Sequence, residues 1–432
     1  MANLQLGTAQ VNITPHLGVS LMGAFHDRRA TEIHDELFVK TLVVGSGDVK
    51  LAIAVCDVIV IERNDTDPVK ALIEEACGIP PENVMIAATH THTGPTTTPL
   101  LGSRRDEEYM AHVRRKIADS VRLAIGRMEA VEWASGVGHE DRLVSNRRFR
   151  MKHGGVQMNP GVNNPDIVEP EGPIDPDVNV LCFRRPDGGT AGLLCNYALH
   201  YVSSGESLTI SANYFAAFCE AIQRLKDEHF QALLANGCCG DINNVYVKGV
   251  PRRTAPYEQM NHAATVLAAE VLKVTEFMEF SADAELGASM ETLVIPRRMP
   301  GGEELARVKR DLDLAGGNDE RYALYADRHE QLKAGPIEDE TYVQVLRMGD
   351  LALVGLPGEM FVEFGLEIKK RSPFAHTFVL ELANDWIGYI PTTRAFEGGG
   401  YETWLSLASR AVPDAGDMMV ESALRQLEKL KT

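Results

Sequence analysis

No apolar run in this chain approaches the roughly 20 residues that a membrane-spanning helix requires. The first residues, MANLQLGTAQVNITP, have no basic region and no apolar core, so they do not read as a secretory signal. C-x-x-C is absent too. The seven cysteines are odd in number and scattered through apolar segments, the pattern of reduced structural thiols. Adjacent Cys238 and Cys239 have no further Cys or His beside them to complete a chelate. Aromatic residues make up only 6%, and no amphipathic segment rich in Lys, Arg and Trp is offered to a bilayer. Basic side chains are outnumbered, 43 Lys and Arg against 61 Asp and Glu, and the formal charge of −18 argues against phosphate-backbone contact. These absences predict a cytoplasmic protein with no nucleic-acid and no membrane partner. A homo-oligomer is compatible with the composition.

What is present is ordinary globular material. The 432 residues, 44% hydrophobic and 24% charged, can bury a full core. There is no low-complexity tract and no clean domain boundary, so residues 1–432 read as a single domain.

A strand–turn–strand motif recurs. Phe38–Val44 and Lys50–Ile61 flank Gly45-Ser46-Gly47-Asp48; Val178–Arg184 and Gly192–Tyr197 flank Pro186-Asp187-Gly188-Gly189; Thr341–Arg347 and Leu351–Leu356 flank Met348-Gly349-Asp350. Val, Leu and Ile runs broken by Gly/Asp turns are the hairpin signature. Helical spacing of apolar residues predicts helices at Asp67–Ala76, Glu107–Met128, Tyr214–Lys226, Tyr257–Phe277, Glu303–Ala334, Phe361–Lys370 and Ala415–Leu430. The fold class expected is α+β or mixed α/β, with mixed, partly antiparallel sheets built from β-hairpins and helices packed on them. The charged Glu303–Ala334 reads as a solvated excursion. The Pro-, Gly- and Asn-rich Arg150–Asp177 reads as an active-site loop or lid.

Chemistry-bearing residues gather at strand ends. Thr89-His90-Thr91-His92-Thr93-Gly94-Pro95 follows the strand Val84–Ala87, and two histidines at i and i+2 point the same way when extended. The same pattern equally describes capping and hydrogen-bonding histidines. His200 closes the second hairpin, and Ile33-His34-Asp35 opens the first. Glu359 follows Pro357-Gly358 after the third, where a helix dipole alone would favour an acid. Asn236–Asn244 forms a Gly-rich turn that includes Asp241 and Asn243, and an Asx turn would account for it as well. His112, His229, His262 and His329 fall in helical patterns and read as solvated.

Taken in order, these segments resemble the neutral/alkaline ceramidase family. The resemblance rests on Gly7–Pro15, Leu21-Met22-Gly23, Ile33-His34-Asp35, T-H-T-H-[ST]-G-P, Asn196-Tyr197-Ala198-Leu199-His200, the Gly240-Asp241 turn, Pro357-Gly358-Glu359 and Gly388-Tyr389-Ile390-Pro391-Thr392-Thr393. It implies an amidase with one catalytic Zn2+ held by His90, His200, Glu359 and Tyr389. Trp386 stands where a second family tyrosine would be. His92 is implied as a second-shell, oxyanion or leaving-group partner. Asp241 would orient a histidine or the water, and Arg147 would anchor an anionic or carbonyl oxygen. His34 and Asn243 are candidates for supporting or substrate-contacting roles.

The chain departs from the family pattern in three places. Asn243 replaces the serine of G-D-V-S-P-N, and an amide cannot act as an acyl-accepting nucleophile. Asn213-Tyr214 replaces D-Y. The chain is shorter than secreted ceramidases and is expected to lack their C-terminal β-domain. The expected activity is therefore a zinc-dependent hydrolase acting through water on an amide, or an ester or lactone, of a small polar or anionic substrate. Arg147, Arg148, Arg150, Lys152, His153, Asn163 and Asn164 would recognise it. Two alternatives stand beside this: the same pocket acting on a glycosidic or phosphate bond, or by elimination or isomerisation, and a non-catalytic metal-organised binder.

Overall fold

Three Gly/Asp turns organise the chain. In the structure, a computed structural model describing residues 4–23, 26–100, 102–202, 208–226, 230–249, 255–314 and 319–432, each turn closes an antiparallel hairpin. The pairs are Phe38–Ser46 with Val49–Cys56, Asp177–Arg184 with Thr190–Tyr197, and Glu338–Met348 with Leu351–Gly355. In the third turn Gly349 has φ +57°, and a Cβ there would lie 2.7 Å from the Trp133 ring, so only glycine fits. The predicted strand Lys50–Ile61 ends early, at Cys56. Asp57–Ile61 leaves the sheet and becomes a wall of the cavity described below.

Each hairpin is followed by a helix and then by a strand parallel to the hairpin's second member. The helices are Arg63–Cys77, Tyr214–Leu225 and Val362–Arg371. The strands they lead to are Val84–Ala88, Gln231–Asn236 and His376–Leu380. One hairpin–helix–strand unit thus occurs three times. This yields the mixed sheets with packed helices that the periodicities predict: an antiparallel pair from the tight turn and a parallel pair from the helical crossover. Glu107–Ile125, Glu258–Thr275 and Ala415–Lys431 cover the sheets from outside. The sheets meet in one core that combines Leu42, Ile53 and Met85 with Leu181, Leu194 and Leu233 and with Leu346, Leu353 and Phe378. Among the described residues, no helix is long and apolar enough to cross a membrane.

Two expectations are corrected here. Glu303–Ala334 forms two helices, Gly302–Leu314 and Asp319–Ala334, and is not simply solvated. Val308, Leu312 and Tyr325 pack with Trp404, an apolar cluster set within the charged sequence. His329 is likewise buried, its Nε2 2.9 Å from the Leu405 carbonyl, whereas His112 is exposed. His262 is half-buried, and His229 lies outside the described residues. The segment Arg150–Asp177 contributes to a three-stranded antiparallel sheet in which Arg148–Met151 lies between Val156–Met158 and Ile167–Pro170.

One buried charge costs stability. Lys70 is 1% exposed, its Nζ has no hydrogen-bond partner, and it sits 4.6 Å over the Tyr342 ring. Burial pushes its amine down to about 7, below the unfolded value of about 10.4. Between those values the unfolded chain binds a proton that the folded chain does not, so stability rises with pH. Lys70→Met is expected to stabilise the protein at pH 7 by roughly 2–4 kcal/mol, with the advantage shrinking towards pH 10. Urea unfolding at both pH values reads this directly, and equal midpoints at pH 7 would refute it.

Candidate active site

The second hairpin strand and the crossover strand of each unit run the same way, so their carboxyl ends emerge together. All six ends feed one cavity of about 190 Å³: Ile59, His90 and His92 from the first unit, His200 and Asn243 from the second, Glu359, Trp386 and Tyr389 from the third. Carboxyl ends of parallel strands are where α/β proteins place ligands. Arg147, Met158, Asn159 and Tyr401 complete the polar and outer wall, and most of the remaining lining is apolar.

The two histidines of the H-T-H segment do not converge by alternation along an extended strand. The strand ends at Ala88, and His90 takes the left-handed conformation, φ +65°, uncommon for a non-glycine residue. Its N–H bonds to the Val58 carbonyl at 3.0 Å, and its Nδ1 donates to the Ile59 carbonyl at 2.8 Å. That bond fixes the tautomer and leaves Nε2 as a lone pair facing the cavity. The loop beyond is braced by Asn213. Thr91 and Thr93 both spend their hydroxyl protons on the Ser211 carbonyl, so each can only accept from Asn213 Nδ2, at 2.6 and 3.0 Å. An aspartate carboxylate could not donate these bonds and would instead have to accept from the two hydroxyls.

Glu359 is buried opposite. Gly240 lets the Gly-rich turn approach it, since a Cβ at 240 would lie 2.4 Å from the Glu359 carbonyl oxygen. Glu359 Oε1 accepts from Trp386 Nε1 at 3.0 Å. Oε2 has no hydrogen-bond partner and lies 3.5 Å from His90 Nε2 and 4.0 Å from His200 Nδ1. Burial opposes the carboxylate's charge, but His90, Tyr389 and Trp386 outweigh it and hold its pKa below the usual range.

His200 Nε2 faces His92 Nε2 at 3.0 Å. The ligand atoms of His90, His92 and His200 lie within 4.8 Å of one another, so the three can hold a metal ion. Donors about 2.0–2.1 Å from a tetrahedral zinc sit about 3.4 Å apart, close to the two contacts at 3.0 and 3.5 Å. Burial, then the neighbouring cations, depress both His92 and His200 well below the usual value, which keeps them neutral and able to donate lone pairs. An orphaned carboxylate oxygen beside neutral imidazoles is a donor set that fits a divalent cation.

Arg147 stands over the Tyr389 ring. Its Nε bonds to Glu402 at 2.7 Å, its Nη1 lies 3.2 Å from His200 Nδ1, and its Nη2 is buried without a partner. Asn243 lines the cavity and donates to Asn159 Oδ1 at 3.0 Å.

Asp241 does not face the histidines. Its carboxylate accepts from Asn146 at 2.7 Å and from the Val362 N–H at 2.8 Å, tying the Gly-rich turn to the helix after Glu359. Burial raises its pKa to about 6 despite those bonds. His34 is also outside the cavity. It is exposed, stacked on Tyr257 at 3.7 Å, while its neighbour Asp35 holds Ser211 and Ala212. Arg148 is locked to Glu171 and Glu402, and Arg150 to Glu169 on the surface. Glu402, Trp386 as a donor and Tyr401 are site residues without a motif that would have singled them out.

No family model matches the chain. The neutral ceramidase of Pseudomonas aeruginosa is 32% identical over 129 residues, 28% of this chain and 18% of that protein. The aligned part is thus less than a fifth of that relative. The crystal structure of neutral ceramidase from Pseudomonas aeruginosa superposes with TM-score 0.78 at 20% identity, covering 99% of this chain and 75% of the other. A ceramidase complexed with C2 gives TM-score 0.79 at 17% identity, covering 100% and 76%. The resemblance read from the motifs therefore extends over the whole fold, and the chain has the fold of neutral ceramidase.

Proposed function

We propose that this protein is a zinc-dependent amide hydrolase, with His90, His200 and Glu359 as ligands and His92 or Tyr389 as the fourth contact. The observation that carries this is Glu359 Oε2, a buried carboxylate oxygen with no hydrogen-bond partner, facing His90 and His200. Such an oxygen is costly to bury unless a cation satisfies it. A zinc ion there would supply Lewis acidity, lowering the pKa of water towards about 7 and polarising a carbonyl. The surrounding residues do the rest. Arg147 Nη2 is placed to bind the carbonyl oxygen as charge develops on it. With Tyr389 as the fourth contact, His92, neutral and half-buried, is left to accept a proton from water and return it to the leaving nitrogen. The C–N bond breaks, the acyl carbon gains the water oxygen, and the amine leaves with the proton. Asn243 takes no covalent part.

A cavity of about 190 Å³ with largely apolar walls suits a short acyl group, being smaller than the ~300–1,000 Å³ of drug-sized pockets. The test is a panel of short water-soluble amides, esters and lactones beside long-chain ceramide in detergent. The expected result is turnover of a short amide, abolished by a chelator, restored by zinc and substantially retained in Asn243→Ala. Efficient long-chain ceramide hydrolysis would overturn the substrate reading. An acyl-enzyme trapped on residues Gly240–Asn244 would overturn the mechanism. Bound zinc with no turnover across the panel would favour the metal-organised binder.

A further inference from the structure

Glu381 is the first residue beyond the third crossover strand, His376–Leu380, and it is fully buried without lining the metal cavity. Its carboxyl lies between two segments that serve the site. Oε2 accepts from the Met360 N–H and from the Cys239 N–H, each at 3.0 Å. Oε1 lies 2.8 Å from Cys239 Sγ. Met360 follows Glu359, and Cys239 precedes the Gly240 that packs on the Glu359 carbonyl. One oxygen atom thus holds the third unit's Glu359 segment in register with the second unit's Gly-rich turn.

A carboxyl is costly to place here. Burial, with the Glu359 charge adding to it, holds its pKa well above the usual carboxylate range, against the bonds from Cys239 and Met360. The two N–H groups need only an acceptor at Oε2, which the carboxyl supplies with or without its proton. Without it, two buried backbone donors would lose their acceptor.

The consequence for Glu359 is geometric. Its own N–H bonds to the Gly388 carbonyl at 2.9 Å. The next peptide is held by Glu381 through the Met360 N–H, and the Met360 carbonyl accepts from the Gly240 N–H at 2.8 Å. With the backbone fixed on both sides, the direction of the Glu359 side chain is set, and Trp386 then selects which oxygen faces the histidines. The same contacts reach His90. The Glu381 N–H bonds to the Asn236 carbonyl at 3.2 Å, and Asn236 Nδ2 bonds to the Thr89 carbonyl at 3.0 Å. A path of hydrogen bonds therefore runs from the residue before His90 to the residue after Glu359, across the ends of all three crossover strands.

We propose that Glu381 is a positioning residue of the metal site: by holding the Met360 and Cys239 N–H groups, its Oε2 sets the separation between Glu359 and the histidines, and with it the affinity for the ion. The proposal rests on the zinc reading above. Groups that orient metal ligands from behind are worth roughly 10–100-fold in metal affinity.

The test uses the full-length protein, stripped of metal and titrated with Zn2+ against a chromophoric chelator, then loaded with Co2+, whose visible spectrum reports ligand geometry. Glu381→Gln keeps an acceptor oxygen at full reach and should bind Zn2+ within about 3-fold of the wild type. Glu381→Asp withdraws the carboxyl by one methylene, and Glu381→Met keeps the bulk without an acceptor. Both should bind Zn2+ roughly 10–100-fold more weakly, with an altered Co2+ spectrum, and either decides the matter if the other does not fold. Wild-type affinity in the Asp or Met variant would overturn the proposal, as would an equal loss in Glu381→Gln or weakened binding with an unchanged Co2+ spectrum. A wild type that takes up no Zn2+ would reject the zinc reading and this proposal together. Zinc uptake indifferent to position 381 would reject this proposal alone.

Discussion

His90→Ala is expected to release the metal and to lower kcat/KM by roughly 10³-fold or more, since the water and the carbonyl both lose their Lewis acid. His90 is the most constrained member of the set: left-handed backbone, Nδ1 committed to the Ile59 carbonyl, Nε2 facing Glu359 Oε2 at 3.5 Å. Alanine removes a ligand whose direction was already set by the fold, so no other side chain can swing in to replace it. His34→Ala is the matched control, because that imidazole stacks on Tyr257 outside the cavity. Elemental analysis should find about one zinc per chain in the wild type and in His34→Ala, and little in His90→Ala. Full metal content with retained activity in His90→Ala would remove the assignment. His92→Ala separates the two roles left open for His92: loss of metal makes it a ligand, whereas retained metal with lost turnover makes it the base.

Much of this arrangement was legible in the sequence, for a physical reason. Hairpins announce themselves through Gly/Asp turns, and strand ends are where such turns deposit His90, His200 and Glu359. The direction of a strand-end side chain is a different matter. Alternation predicts that His90 and His92 point alike, but the chain leaves the sheet at Ala88 and a single left-handed residue decides where each ring goes. His34 and Asp241 illustrate a further gap. Each belongs to a motif beside the site, yet in the first it is the neighbour Asp35 that makes the connection, and in the second the carboxylate faces away to Asn146 and Val362. Long-range partners of this kind leave no local pattern. The same holds for Trp386, whose ring nitrogen satisfies one oxygen of Glu359 and leaves the other exposed to the histidines. The charged stretch Glu303–Ala334 misled because charge density reports only the outer face of an amphipathic helix, while Tyr325 and Leu332 are buried.

Glu402→Ala is expected to be the most destabilising single change near the site, costing about 3–5 kcal/mol, the usual penalty for removing one partner of a buried ion pair. Glu402 is fully buried in the short helical turn Tyr401–Thr403 and divides its carboxylate between two buried guanidinium groups, Oε1 to Arg147 Nε at 2.7 Å and Oε2 to Arg148 Nη1 at 2.6 Å. Arg148 keeps a second partner in Glu171, but Arg147 would keep only its contact with His200 and the Tyr389 ring. The variant should therefore lose activity as well as stability, because the group that faces the carbonyl oxygen is no longer anchored. The pH dependence gives an independent reading. Burial works against the Glu402 charge, yet Arg147 and Arg148 outweigh it and hold the carboxyl below its ordinary range. A carboxyl with a depressed folded pKa adds stability above its unfolded value of about 4.3, and that contribution fades as the pH falls through the folded value. Wild type and Glu402→Gln should accordingly differ most above about pH 4.3 and converge on acidification. Chemical unfolding from pH 7 down to pH 3 measures both curves. A difference under about 1 kcal/mol at pH 7 would put the pair in the class of solvated surface bridges and detach Glu402 from the positioning of Arg147.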